Sequence, residues 1–496
     1  MRSHNQSFRE RLADASENWN PDKWLFWAFV AMLVWAPIPL GSNRPWAWTI
    51  LEAWSFALLG GWCIAWAAGR AAVTDAFRKA WPALALFVFS LMFQALQFAP
   101  LPPAVVEALS PEAARMHALA ASFHRGSDWL TLSVDPHSAK AAWLKGLAYF
   151  TAFVLTLLLV NNRSRVKSFA YAFVFAGLVL SIYGVLMHLA EVTHEYFETP
   201  IAHGTSASAT YANRNHFAGY LEMALAIGIG LLIASLKERR HETWKQFFRS
   251  LIELVFSPKI RLRLYLSVMV IALVTTHSRM GNTAFFSSLL IAGIIGLAMS
   301  RHATRSTVIL LVSLIAIDLF IVGSWFGVEK LAKRLEQTTM HDVEERQDPS
   351  QFALRQIRQY PLFGSGAGSF YTVFPRYRGQ QVAGYFDYAH NDYAQLVAEN
   401  GVIGILLLGA IVVASLFAAL RAQWRRRDPL MRGMAFASIM GVTAILIHSS
   451  VDFNLQIPAN AMMFVVLLAL AWISLHLGRR FQADPSASRG QEKKIV

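Results

Sequence analysis

The chain has 496 residues, 55% of them hydrophobic, with 45 Lys and Arg against 31 Asp and Glu, a formal net charge of +14 and a mean hydropathy of +0.38. It is too apolar for an ordinary soluble protein, and its single cysteine excludes internal disulfides and Cys-based metal sites. No nucleic-acid module is present, so the basic excess reads as membrane topology and contact with anionic lipid head groups.

A helix needs about 20 apolar residues, at roughly 1.5 Å rise each, to cross the hydrocarbon core. Residues 1–23 form a polar N-terminal tail, followed by apolar runs at 24–41, 46–68 and 79–98, which make spans one to three (24–98). No small-x-small cleavage site follows the first run, which therefore reads as an uncleaved signal anchor. Cys63, inside the second span, is expected to be a small buried hydrophobe. An outer loop occupies 99–140; its prolines stop the preceding helix, and "SPEAARMHALAASF" is expected to form a short surface helix capped by Ser110.

Runs at 141–161, 166–190, 216–236, 263–277, 282–300 and 306–327 supply spans four to nine (141–327). A second outer loop, 328–392, opens with the amphipathic "EKLAKRLEQTTMHDVEER" and continues with a helix through Arg355 and Arg358. It then reads "YPLFGSGAGSFYTVFPRYR", in which Gly364, Gly366 and Gly368 mark a tight turn. These glycines are not a dinucleotide fingerprint, because no βαβ unit surrounds them. Runs at 401–420, 431–449 and 460–477 complete the spans (393–477), and 478–496 form a C-terminal tail. None of the runs alternates in polarity as a barrel strand must. The expected fold is thus an all-α polytopic membrane protein of about twelve transmembrane helices, with a large periplasmic loop before a His-Asn motif.

Alternating the spans puts 30 of the 45 basic residues on one side, 14 on the other, and leaves Lys145 inside a span. The richer side is cytoplasmic by the positive-inside rule and holds both termini. On the poorer, periplasmic side, polar residues gather where spans begin and end. "TYANRNHFAGYL" places Asn213, Arg214, Asn215 and His216 there, and "TTHSRMGN" places His277, Ser278 and Arg279. "YAHNDYAQLVAENGVIG" adds His390, Asn391, Asp392, Gln395 and Glu399, and "HSSVDFNLQIPAN" adds His448, Asp452 and Asn454. Asp392 with Gln395 fits an Asp-x-x-Gln helix cap. Arg214 and Arg279 are the only basic residues of their connections, each readable as a snorkelling anchor or as a planar fork for phosphate. Two such arginines and a histidine on one face suit an anionic, membrane-embedded ligand such as a polyprenyl diphosphate.

Those segments, with "YPLFGSGAGSF" and "LTLSVDP", resemble the bacterial O-antigen ligase and polymerase superfamily, whose other members include protein O-oligosaccharyltransferases; the similar region is about 200–460. Where many relatives carry Asn-Pro-Asn, this chain has Asn213-Arg214-Asn215. The resemblance implies an inner-membrane glycosyltransferase that moves a glycan from undecaprenyl diphosphate to a periplasmic acceptor. The acceptor is lipid A–core in ligases, another lipid-linked repeat in polymerases and a protein hydroxyl in the third group. By matching motifs, His390 takes the catalytic position and Arg279 and Arg214 the diphosphate-binding ones, with Asn391, Asp392, Glu399, Asp452 and Asn215 as supporting candidates. No metal or other cofactor is expected. The alternative reading is a transporter of the same lipid-linked glycan, which would also need cations near phosphate.

Overall fold

The computed structural model describes residues 21–122, 128–196, 199–202, 206–235, 258–299, 312–313, 352–379 and 386–478. Eleven long helices run through them: α1 (Pro21–Trp35), α2 (Pro45–Ala67), α3 (Trp81–Phe98), α4 (Pro136–Leu159), α5 (Arg163–Leu189), α6 (Arg214–Ser235), α7 (Pro258–Thr275), α8 (Arg279–Ala298), α9 (Asp392–Arg425), α10 (Pro429–His448) and α11 (Pro458–His476). Among the described residues nine of these, all but α1 and α7, are long and apolar enough to cross a membrane. The protein is therefore a polytopic helical membrane protein. The expected ninth span, apart from residues 312–313, and the amphipathic run 329–346 lie outside the described residues.

The helices start where the sequence supplies caps. Asp135 accepts from the Ser138 amide at α4, Asn162 from Arg165 at α5, Ser278 from Gly281 at α8 and Asp428 from Leu430 at α10. Each satisfies one of the first-turn amides that no helical carbonyl can reach. Ser110 stands before the surface helix Pro111–Ala121, but its side chain makes no capping bond. Pro111 at the first helical position removes one donor there.

The most enclosed elements are α11, α6 and α10, with 94%, 89% and 78% of their central windows buried, against 28% for α9. The backbones of α6 and α10 touch at Gly230 and Gly433: a β-carbon on either would run into the carbonyl of the other. Small residues allow this close approach, the usual means of helix association in lipid. Cys63 is exposed on the flank of α2 rather than buried, which corrects the expectation.

Two features were not anticipated. A small antiparallel hairpin, β1 (Thr193–Tyr196) with β2 (Thr199–Ala202), pairs Thr193 with Ala202 between α5 and α6. The two outer loops also pack on each other. Val106, Ala113 and Leu132 of the first form one apolar cluster with Tyr360, Val373 and Tyr377 of the second. Arg376 pairs with Glu112 at 2.7 Å, and Val134 donates to the Ser365 carbonyl. A helix spans 352–359, as expected, and Gly364, Gly366 and Gly368 all take positive φ. The turn they form lies on the outer part of α9, whose axis breaks at Gly401 (φ 64°).

Candidate functional site at the outer end of the bundle

The N-terminal ends of α6, α8 and α9 and the C-terminal end of α10 meet at one end of the bundle. Asn391 caps α9, its side chain accepting from the Ala394 amide at 3.0 Å and donating to the Ser450 carbonyl at 2.8 Å. Asp392 is not the cap, a correction to the expectation from its spacing with Gln395. It is fully buried, and its Oδ2 accepts from Ser449 Oγ at 2.7 Å and from the Leu455 amide at 3.0 Å. Asp392 thus ties the start of α9 to the loop between α10 and α11. His390 immediately precedes the cap with φ 51°, a left-handed conformation uncommon outside glycine. That backbone turn lets residue 391 rather than 392 face the helix.

Phe453 organises the rings. His390 meets it edge-on with centroids 4.8 Å apart, His216 does so at 4.5 Å, and Tyr388 stacks on it at 4.5 Å. Burial pushes the Tyr388 hydroxyl up to about 12, helped by Asp387 and Glu399, so it remains a phenol. Beneath Phe453 runs a chain of buried ionisable groups. His216 Nε2 lies 3.5 Å from Asp452 Oδ1, His448 Nε2 lies 3.9 Å from Asp452 Oδ2, and His448 Nδ1 lies 2.7 Å from Glu222 Oε1. Burial would raise the Asp452 carboxyl, but the nearby His216 and His448 imidazoles and the Phe453 amide hold it well below the usual carboxylate range.

Arg214 and Arg279 are the first residues of α6 and α8. Gly281, two residues past Arg279, sits so close to Ala218 and Glu222 that a β-carbon would collide with Ala218. The first turn of α8 therefore abuts α6 just past its own first turn, and both helices present a positive dipole end, which favours an anion. Asn215 is drawn into the Asx turn of Asn213, whose Oδ1 accepts from the Asn215 amide at 2.8 Å. Glu399 lies elsewhere: its Oε1 accepts from the Phe370 amide and from Gln395 Nε2, which braces the glycine turn. The structure thus brings Asn391, Asp392 and Asp452 to the His390 loop and gives Glu399 a bracing position.

Sequence reasoning missed three members: Glu222, Phe453 and Tyr388. For Glu222 a signal existed, since a lone carboxylate in an apolar span is by default a functional pointer. Among the described residues no group of three or more His, Cys, Asp or Glu is arranged to hold a metal ion.

Fold and site together define a multi-pass membrane protein with a histidine, buried carboxylates and arginine-headed helices gathered at one face. Residues 264–409, from α7 through the His390 motif, match the model of the O-antigen ligase family. No curated protein matches the chain.

Proposed function

We propose that the chain is an inner-membrane glycosyltransferase that moves a glycan from undecaprenyl diphosphate to a periplasmic acceptor, ligase-like with lipid A–core as acceptor. The observation that carries this reading is the position of His390 inside the matched region. It stands in a strained turn at the head of α9, its ring held on Phe453. The arginine-headed helices α6 and α8 start at the same end of the bundle.

In the proposed reaction a hydroxyl of the acceptor sugar attacks the anomeric carbon of the donor glycan. The carbon–oxygen bond to the diphosphate breaks, and the hydroxyl proton passes to a His390 ring nitrogen. The diphosphate leaves carrying the bonding electron pair, and Arg279 and Arg214 stabilise its growing charge as pre-positioned donors. Asn391, Asp392 and Asp452 act through the loop that holds His390. The test is single-turnover transfer in purified, donor-loaded protein. His390→Ala should lose at least about 100-fold, the low end for a general base, while still binding undecaprenyl diphosphate. A wild-type rate in that variant would remove His390 from the chemistry. Offering lipid A–core and lipid-linked repeat as competing acceptors separates ligase from polymerase. Passage of lipid-linked glycan across vesicles without glycan transfer would favour a transporter.

A further inference from the structure

At the end of α9 away from the His390 loop, cations from separate elements converge on one imidazole. His476 closes α11, and its ring stacks on Trp472 with centroids 6.0 Å apart and planes at 19°. Trp472 is held in turn, donating its indole N–H to Ser415 Oγ of α9 at 3.1 Å. A short helix, Asp75–Lys79, packs on α11 and ends in Lys79. Lys79, Arg421 near the end of α9 and Arg426 just past it all act electrostatically on the His476 ring, with Asp75 opposing them. Three cations against that one carboxylate leave two positive charges in excess.

Ordinary structural duties account for part of the cluster. Arg426 donates to the Leu477 carbonyl and so satisfies the open end of α11. At the same end of the bundle other cations are neutralised by carboxylates: Arg163 pairs with Asp428, and Arg165 with Asp22 at 2.6 Å. Lys79 and Arg421 differ. Both are exposed, and among the described residues neither makes an ion pair. Like charges gathered in this way repel one another unless an anion lies among them.

The surroundings identify the anion. Ala80 gives α3 no side-chain cap, so the positive dipole end of that helix opens beside Lys79. Trp81 and Trp424 are 68% and 49% exposed, and indoles in such positions mark the membrane–water interface. Phe417, Arg421 and Trp424 recur at helical spacing on one face of α9, and Phe417 is 63% exposed. Arg421 therefore heads an apolar stripe that faces lipid tails. A soluble anion gains nothing from that stripe, whereas an anionic phospholipid gains from stripe and charge together. Two excess charges carried by separate elements match a head group with two phosphodiesters, arginine supplying a planar fork and lysine a point charge.

We infer that Lys79, Arg421 and the N-terminal end of α3 bind the head group of a cardiolipin-type phospholipid, one of whose acyl chains lies along Phe417. The site is remote from His390, and its occupant is a structural lipid rather than a substrate.

Native mass spectrometry of the detergent-purified full chain, titrated with tetraoleoyl cardiolipin, reads both stoichiometry and affinity. One cardiolipin should bind more tightly than dioleoyl phosphatidylglycerol, and phosphatidylethanolamine least of all. The double variant Lys79→Gln/Arg421→Gln should lose at least about tenfold in cardiolipin affinity, the equivalent of one charge-assisted hydrogen bond. Arg261→Gln/Arg263→Gln removes the same charge from exposed positions on α7, at the same end of the bundle, and should bind cardiolipin as wild type does. Lys79→Gln alone should weaken cardiolipin about threefold, within the range of a surface ion pair, and leave the lipid-free melting temperature unchanged. An equal loss in the two double variants would reduce the effect to net charge and overturn the site. Phosphatidylglycerol binding as tightly as cardiolipin would overturn the two-phosphate head group. Displacement of cardiolipin by an equal concentration of inorganic diphosphate would overturn the lipid assignment in favour of a soluble anion.

Discussion

His448 on α10 and Glu222 on α6 meet Nδ1 to Oε1 at 2.7 Å, and neither side chain has any accessible surface. The pair joins the two helices that pack most closely, two turns beneath Arg214. Glu222→Ala should leave a buried imidazole without its partner, a loss of roughly 3–5 kcal/mol typical of breaking a buried pair. Glu222→Gln can still accept from His448 and should lose much less. Thermal unfolding in detergent distinguishes them, and equal melting temperatures for Ala and wild type would show that the contact stabilises nothing.

Asp452 should make stability depend on pH in a defined direction. Its folded-state pKa is depressed below the unfolded value of about 3.9. The carboxylate therefore stabilises the fold fully above that value, and the stabilisation is lost as pH falls toward the folded pKa. His216, His448, Glu222 and Asp392 surround it, so the useful quantity is the difference between wild type and Asp452→Asn. That difference in melting temperature should be largest near pH 7 and should shrink below about pH 4. A difference that grows on acidification would reverse the sign of the assignment.

Gly366 has φ 111°, and a β-carbon there would strike the Ser133 side chain. Gly366→Ala combines backbone strain of about 1–3 kcal/mol with that collision. It should loosen the seam between the two outer loops, seen as faster proteolysis within residues 128–135 and a lower melting temperature. Gly60→Ala, in open space on a helix, should be neutral or stabilise by about 0.5–1 kcal/mol. Equal behaviour of the two variants would refute the packing account of the turn.

Arg279→Ala should weaken undecaprenyl diphosphate binding about 10- to 100-fold, the equivalent of one charge-assisted hydrogen bond of about 1.5–3 kcal/mol. Arg279→Lys should recover little, because a point charge cannot reproduce a planar fork on phosphate. Binding to the alanine variant within twofold of wild type would reduce Arg279 to a membrane anchor. The same comparison applies to Arg214.

Much of the architecture was readable because hydropathy is a running average over many residues, and nine of the expected spans recur as helices of spanning length. The His390 motif was readable for a related reason, since a polar cluster against an apolar run marks the mouth of a helix. The cap was not. Asn391 and Asp392 are both good cap formers, and the choice between them depends on the positive φ of His390, which no spacing records. Glu222 escaped notice because one carboxylate barely lowers the mean hydropathy of a 22-residue span. Phe453 escaped because an aromatic becomes a hub only through partners distant in sequence, here His216, Tyr388 and His390. Cys63 was misplaced because composition identifies a span without saying which face looks inward.

Helix α9 has 34 residues, and the stretch from Gly401 to Arg425 alone makes about 37 Å at 1.5 Å each, beyond a hydrocarbon core of about 30 Å. On the proposed reading those later turns fill the bilayer and the segment ahead of Gly401, packed against the glycine turn, stands above the oil. On the proposed reading, bond formation takes place at a wet rim, and only the lipid anchors of the two substrates enter the membrane. The polysaccharide itself extends into the aqueous space and touches the protein at no more than its first sugars. Such a catalyst has no ruler: it should join a chain of a few repeats and a chain of a hundred with the same efficiency, leaving length to be decided before the substrate arrives.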